Sequence, residues 1–542
     1  MNDQNSIFES KPRVLIVDNN ENIANMYKEL ISHWGYSPIV AQGVGNGLLG
    51  DAIRKAKDHR CQLALVDLRL VDDLDEEDVS GLELIPDIKP AVSLIISASS
   101  NVANVRQSDE IGAASFIGKG EDPLVIKEKL DREAEKLCAS RTDIEIKPQS
   151  VLNHIASILC DRVPVEYHDQ IADMFARLFP NAKSLFLERV GTEAALTVPR
   201  PKSVILRVTE DNKQPVIVKL ARAHKMTIEV DRFRKYIEGY LKGHFHPSIS
   251  NPVILWDLGG AIYITLGSSE STIFSKYYMD ASMADIEYSL TRFFRETWSS
   301  LYAGAKNYEN VSLFKEYCKV WGEEWYERVC KFYAPNPRSV MKNELPNGFN
   351  PIDPITWFKE NFGIGEAEDK SIIASTALAV THGDLHGDNV LIDEHHNAWV
   401  IDFERSGEGH VIQDFIELEG DIINRLISSS ENLPSFYQLC VQVVQNVELK
   451  ELKGINAIGH PDVKKAIQTI SLLRKLAREI SGIEDARQYL LGLLFNTLFR
   501  ATIFNESAHQ LSQYRALMLA SIICHRLDHW DEPWPPEEWR DL

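Results

Sequence analysis

The period of the apolar positions changes along the chain, and each change predicts a different architecture. Over residues 11–137, short apolar runs at 14–17, 63–66, 92–96 and 114–117 read as buried strands. Between the first two, Ile23, Met26, Tyr27, Leu30, Ile31 and Trp34 recur at helical spacing and Gly35 closes the helix. Strands alternating with helices predict a doubly wound parallel sheet, whose carboxyl ends collect the polar residues that follow each run. Residues 139–150 read as a polar linker, and 151–159 and 171–178 as two amphipathic helices capping the next unit. From Ser184 the period becomes two: residues 184–190, 203–208 and 216–220 predict three antiparallel strands, and 251–257 with 261–266 a hairpin through Gly259-Gly260. Beyond about residue 270 the pattern is mostly helical, over 282–303, 312–333, 371–379, 414–427, 434–447, 464–480, 486–504 and 510–527. One hairpin interrupts it: a polar turn at 382–389, a run at 390–392, a turn at 394–397, and a run at 399–401 ending on Asp402.

At 542 residues the chain exceeds what one core supports, so two to four domains are expected. The 44% apolar and 25% charged fractions fit globular domains. With 79 acidic against 58 basic residues the net charge is −21, which points away from a nucleic-acid surface. Seven scattered cysteines without a C-x-x-C pair fit free thiols in a reducing compartment. Residues 1–13 carry no signal-peptide core, and the apolar patch at 490–495 is too short to span a membrane, so a cytoplasmic protein with no membrane partner is expected.

The predicted carboxyl ends of the first sheet gather Asp18, Asp67, Ser97 and Lys119. In that grouping Asp67 can act as a carboxylate nucleophile for a phosphoryl group, with Asp18 and Asp67 holding Mg²⁺. Ser97 can donate to the phosphoryl oxygens and Lys119 can neutralise them. The set resembles a response-regulator receiver domain over residues 11–137, with Phe116 at that family's aromatic switch position. The resemblance implies phosphorylation of Asp67 by a sensor histidine kinase or phosphotransfer protein. Three features depart from the family: Asn19 replaces the second acidic residue, an acidic insert fills 72–78, and Gly120 follows Lys119. Asn19 keeps open a docking module that takes no phosphate, and the insert reads as a solvated loop.

The hairpin delivers Asp384, Asn389 and Asp402 to one rim. Phosphoryl transfer from a nucleotide needs such a set: an acid to orient a hydroxyl, and oxygen ligands for Mg²⁺. Asp384 and Asn389 are five residues apart, as in the protein-kinase H-R-D-L-x-x-x-N loop, and Asp402 stands where the D-F-G aspartate would. The sequence H-G-D-L-H-G-D-N with D-F-E resembles aminoglycoside phosphotransferases, choline kinases and the related ternary complex associated domains, over roughly residues 180–420. That resemblance implies Asp384 as the catalytic acid–base group and Asn389 and Asp402 as Mg²⁺ ligands. It implies Lys219, which ends the run Val216–Leu220, on the nucleotide phosphates, with Glu229 rather than Glu238 as its partner. Gly191 and Thr192 would form the phosphate loop and Leu266 the adenine hinge. Asp414 resembles the structural aspartate after D-F-E, while Glu404, Glu408, Glu417 and Glu419 read as a pocket for a cationic acceptor or as a solvated face.

The expected architecture is multidomain, α/β plus α+β: a flavodoxin-like doubly wound receiver at 1–140, a linker and helical cap at 141–183, and a two-lobed protein-kinase-like fold. Its small lobe would span 184–268 and its helical lobe 269–542. The function implied is two-component signalling, in which a receiver controls an ATP- and Mg²⁺-dependent phosphotransferase acting on an unknown hydroxyl acceptor. The alternative is a nucleotide-binding scaffold without turnover; the single glycine in 191–194 favours it.

Overall fold

The computed structural model describes all residues except 1–11, 73, 74, 76, 99–101, 139–143, 160–167, 191–202, 212, 242–246, 265–270, 333–349, 363–368, 428–432, 453–459, 504–509 and 540–542. The N-terminal sheet consists of β1 (Arg13–Val17), β2 (Ser37–Val40), β3 (Leu63–Asp67), β4 (Val92–Ser97) and β5 (Ser115–Gly118). All pair in parallel in the order β2-β1-β3-β4-β5, the flavodoxin-like doubly wound order. Alternation along each strand explains the two layers. Val14, Ile16, Leu63 and Leu65 face α1 (Glu21–His33), and Leu15, Val17, Ala64 and Val66 face α2 (Asn46–Asp58) and α3 (Ser80–Leu84). Helices α4 (Val102–Ile111) and α5 (Pro123–Cys138) complete the unit. The edge strand β2 is half-buried and carries Pro38, so it has no apolar run to announce it.

The next sheet has six strands, one more than the three alternating runs and the hairpin predict. They are β6 (Glu145–Lys147), β7 (Ser184–Arg189), β8 (Ser203–Glu210), β9 (Val216–Arg222), β10 (Ser248–Ile254) and β11 (Leu258–Ile264), in the order β10-β11-β9-β8-β7-β6. Strand β6 lies within the segment expected to be a linker and pairs in parallel with β7. Helices α6 (Gln149–Leu159) and α7 (His168–Leu178) cover one face, burying Ile155, Ile171, Met174 and Phe175. Helix α8 (Ala223–Arg232) packs on the other through Met226 and Val230.

Gly259 and Gly260 do not turn the hairpin; they lie inside β11, and the turn falls at residues 255–257. The reason is space. A Cβ on Gly259 would stand 2.5 Å from Met226 Cβ of α8, and one on Gly260 2.8 Å from Met174 Sδ of α7. The glycines let two helices approach one strand from opposite sides.

The remainder is mainly helical, around the helix Ala486–Ile503, which is buried on almost every face. Residues 371–379, expected to be helical, instead lie in the strand β14 (Ile372–Thr381). It pairs antiparallel with β13 (Lys306–Ser312) on one side and β17 (Gly407–His410) on the other. Two flanking strands supply hydrogen bonds that local propensity cannot register. A second small sheet joins β12 (Ser271–Ile273), β15 (Val390–Asp393) and β16 (Ala398–Val400). Among the described residues no helix is long and apolar enough to cross a membrane, and Cys61, Cys318, Cys330, Cys440 and Cys524 are free thiols.

The first sheet meets the second at the end opposite its carboxyl-terminal edge. Trp256 Nε1 donates to the Cys61 carbonyl at 2.7 Å, and Arg60 pairs with Asp257 at 2.7 Å. Asp257 also accepts from Gln170 of α7 at 2.9 Å. A cavity of about 290 Å³ lies at this joint, between Arg13, Arg60, Pro90, Arg177 and Trp256.

Candidate functional site

At the carboxyl ends of β1, β3, β4 and β5 the parallel sheet converges Asp18, Asp67, Ser97 and Lys119. The Lys119 ammonium lies 2.8 Å from Asp67 Oδ2 and 3.0 Å from Asp18 Oδ2, and both carboxylates are buried. Burial alone would lower the Lys119 pKa, but Asp67 and Asp18 outweigh it and hold the group above its ordinary value. Gly81 is required here, since a Cβ would stand 1.9 Å from the Asp67 carbonyl oxygen. Phe116 is half-buried and packs on the core beneath the site. In the insert, the Asp78 carboxylate accepts from the backbone of Val71, Asp72 and Ser80 and so closes the loop.

A second polar centre forms where α8, the 382–389 turn and the end of the β15–β16 hairpin meet. Lys219, buried on β9, places its ammonium 2.6 Å from Glu229 Oε2 and 2.8 Å from Asp402 Oδ1. Burial works to raise the Asp402 carboxyl, but Lys219 outweighs it and holds the pKa at about 2. The same two carboxylates keep the buried lysine protonated against its desolvation. Tyr263 donates its hydroxyl proton to Glu229, and the Phe403 N–H donates to Glu229 at 3.2 Å. Asp402 itself adopts a left-handed backbone, φ +73°, a strained conformation for a residue with a Cβ.

Asp384 is brought to the same rim. Asn389 Nδ2 donates to the Asp384 carbonyl at 2.9 Å, which closes the loop between them. The Asp384 carboxylate is one quarter exposed and pairs with Arg405 at 3.2 Å. Gly383 is forced by its φ of +76° and by the Arg405 carbonyl, 2.5 Å from where a Cβ would lie. Asp414 anchors the loop from below, its carboxylate accepting from the His382 and Gly383 N–H groups and from Trp298 and Tyr302. Aromatic contacts run from Phe233 to Phe403 (5.0 Å), His382 (5.6 Å) and Trp298 (6.1 Å), joining α8, the Asp402 segment and the loop in one column. Burial lowers the His382 pKa, so its imidazole packs in the column as a neutral ring.

The structure thus brings together Asp384, Asn389, Asp402, Lys219 and Glu229 at one centre, and Asp18, Asp67, Ser97 and Lys119 at the other. Gly191, Thr192 and Leu266 lie outside the described residues. Glu404, Glu408, Glu417 and Glu419 form neither a common pocket nor a solvated face. Glu404 pairs with Lys225, Glu408 is exposed, and Glu419 is buried against Arg474 and Tyr489. Glu417 is buried between Trp321 and Asn496, and burial together with the Asp384 charge pushes its pKa up to about 8. Sequence reasoning missed Tyr263, Arg405 and Lys225. Arg405 follows D-F-E directly and had a positional signal, whereas the other two become relevant only once the sheet and helix are assembled.

The profile of Ternary complex associated domain 9 matches residues 344–498, the stretch that carries Asp384, Asn389 and Asp402. No curated protein matches. Among solved structures, the signal receiver domain of a Luxo repressor protein from Vibrio parahaemolyticus is 26% identical over 23% of this chain and 92% of that one, with a TM-score of 0.20. A CheY-like receiver domain protein from Methanospirillum hungatei JF-1 is 24% identical over 23% of this chain and 96% of that one, with a TM-score of 0.20. The likeness lies in the N-terminal region.

Both centres suit a hard divalent cation by their donors. At the first, the Asn19 side-chain oxygen is buried without a partner beside Asp18, an oxygen donor in place of the acidic residue. At the second, Asn389 commits its amide nitrogen to the loop and leaves its oxygen for another partner, and Asp402 supplies a carboxylate.

Proposed function

We propose that this chain is a two-component signalling protein in which a phosphorylatable receiver controls an ATP- and Mg²⁺-dependent phosphotransferase of the protein-kinase-like type. The observation that carries the reading is the buried Lys219 bridging Glu229 and Asp402, on the rim that also holds Asp384 and Asn389. A lone cation between two carboxylates, set by a helix and next to an oriented acid, is what positioning a nucleotide phosphate chain requires. The Ternary complex associated domain 9 match over 344–498 covers Asp384, Asn389 and Asp402 and agrees with the resemblance on which this reading draws.

In this reading Lys219, aimed by Glu229, holds nucleotide phosphates; Asn389 and Asp402 would hold Mg²⁺, which would supply charge neutralisation at the phosphates. Asp384 accepts the proton of the acceptor hydroxyl as its oxygen bonds to the γ-phosphorus and ADP departs. Arg405, 3.2 Å away, orients the Asp384 carboxylate. Because such transition states are loose, most of the acceleration comes from positioning and charge neutralisation. In the receiver, Asp67 attacks a phosphoryl group carried by a sensor histidine kinase or phosphotransfer protein, while Lys119 and Ser97 meet the new oxygens. The flavodoxin-like strand order and the Asp18–Asp67–Lys119 cluster support that part.

The test is turnover of ATP by purified protein against a metabolite pool, with products identified by mass. Asp384→Asn is expected to leave nucleotide binding nearly intact while lowering turnover by about 10²- to 10⁴-fold. A variant that loses binding and turnover together would make Asp384 structural, and a wild-type protein that binds ATP yet transfers to nothing would favour a scaffold.

A further inference from the structure

The acidic residue of D-F-E occupies an unexpected place. Glu404 meets the Lys225 ammonium with both carboxylate oxygens, at 2.6 and 2.7 Å. Lys225 stands in the first turn of α8, a turn that holds no acidic residue, where a cation opposes the helix dipole. It does not serve the helix by itself; Glu404 offsets that cost from outside. The pair is largely shielded from solvent, with 14% of the lysine and 31% of the glutamate side chain exposed, so salt screens it less than a surface pair.

Register makes the pair more than a surface contact. Lys225 precedes Glu229 by one helical turn, and Glu404 follows Asp402 by two residues, so two charged ties join the same helix to the same segment side by side. The inner tie runs through Lys219 between Glu229 and Asp402. Its Asp402 end is the carboxylate that the proposed function gives to Mg²⁺. Were Asp402 to turn to the cation, the outer pair would be the ion pair that remains, beside the Phe403 N–H bond to Glu229.

We propose that Lys225 and Glu404 form a positioning latch that keeps α8, and through it Glu229 and Lys219, against the Asp402 segment while nucleotide is bound. Glu404 then serves the helix rather than an acceptor or the metal. The inference rests on the phosphoryl-transfer reading of this centre for its consequence, but not for the latch itself.

Two measurements separate these. The first is hydrogen–deuterium exchange of residues 223–232 and 402–406 without nucleotide, and the second is Mg²⁺-ATP affinity by calorimetry. Lys225→Met and Glu404→Gln should each speed exchange in both segments and weaken Mg²⁺-ATP by about three- to tenfold. Lys225→Arg, which keeps the charge, should stay close to wild type, and the exchanged pair Lys225→Glu with Glu404→Lys should recover most of both losses. Unchanged exchange and affinity in the single variants, or an exchanged pair as impaired as their sum, would overturn the latch. Wild-type protein that binds no Mg²⁺-ATP would overturn the proposed function instead, and exchange alone would then decide the latch.

Discussion

Glu417 is buried beneath Asp384, and its environment sets a pH dependence that can be worked out with its sign. Its pKa stands at about 8 in the folded protein, against about 4.3 in an unfolded chain. Between those values the folded state holds a proton that the unfolded state has lost. The contribution to stability is therefore complete below about pH 4.3 and declines as the pH rises through 8. Glu417→Gln, which mimics the protonated carboxyl, is expected to narrow the difference in melting temperature between pH 5 and pH 8. A variant with the wild-type difference would show that Glu417 does not titrate in that window. Asp402 behaves oppositely. Its carboxyl is held at about 2 by Lys219, so its contribution is present above about pH 4 and fades only as the pH falls through 2.

At the scale of elements, much of the N-terminal sheet was legible because four of its five strands are apolar runs ending on a polar residue, and a parallel sheet buried on both faces leaves that trace. The local motif 382–389 with Asp402 was legible because spacing along one hairpin is set by the chain itself. What escaped was decided by distant partners. Residues 372–381 hold a strand because β13 and β17 flank them, and 145–147 join the second sheet because β7 offers a free edge. Gly259 looked like a turn residue and is a packing residue, a distinction that requires knowing where Met226 lies. Its substitution tests that view. Gly259→Ala would press a Cβ to 2.5 Å from Met226 Cβ, so α8 must shift from β11. The expected cost is about 1–3 kcal/mol of stability by urea denaturation, with weaker nucleotide binding because Glu229 rides on α8. Unaltered stability and binding would place the role of Gly259 elsewhere.

At the scale of the molecule, the receiver-like unit docks by the amino-terminal ends of its strands, through Cys61 and Arg60 onto Trp256 and Asp257, away from Asp67. Asp257 passes the contact on to α7 through Gln170. A phosphoryl group on Asp67 can influence the proposed nucleotide centre only through contacts that differ between two states of the receiver-like unit. Beryllium fluoride with Mg²⁺, a phosphoryl mimic, is expected to shift Mg²⁺-ATP affinity by about 5- to 150-fold. Asp67→Ala should abolish the shift, and Trp256→Ala should reduce it while leaving the mimic bound. An effect that survives Trp256→Ala would route the coupling outside this joint. The most direct test of the central claim is the melting curve of the full chain with Mg²⁺-ATP. At a hundredfold excess over its dissociation constant, the nucleotide should stabilise the wild-type protein by about 2.7 kcal/mol, and Asp402→Ala should remove the Mg²⁺-dependent part. A curve that saturating Mg²⁺-ATP leaves unchanged would contradict a nucleotide site at Lys219, Glu229 and Asp402.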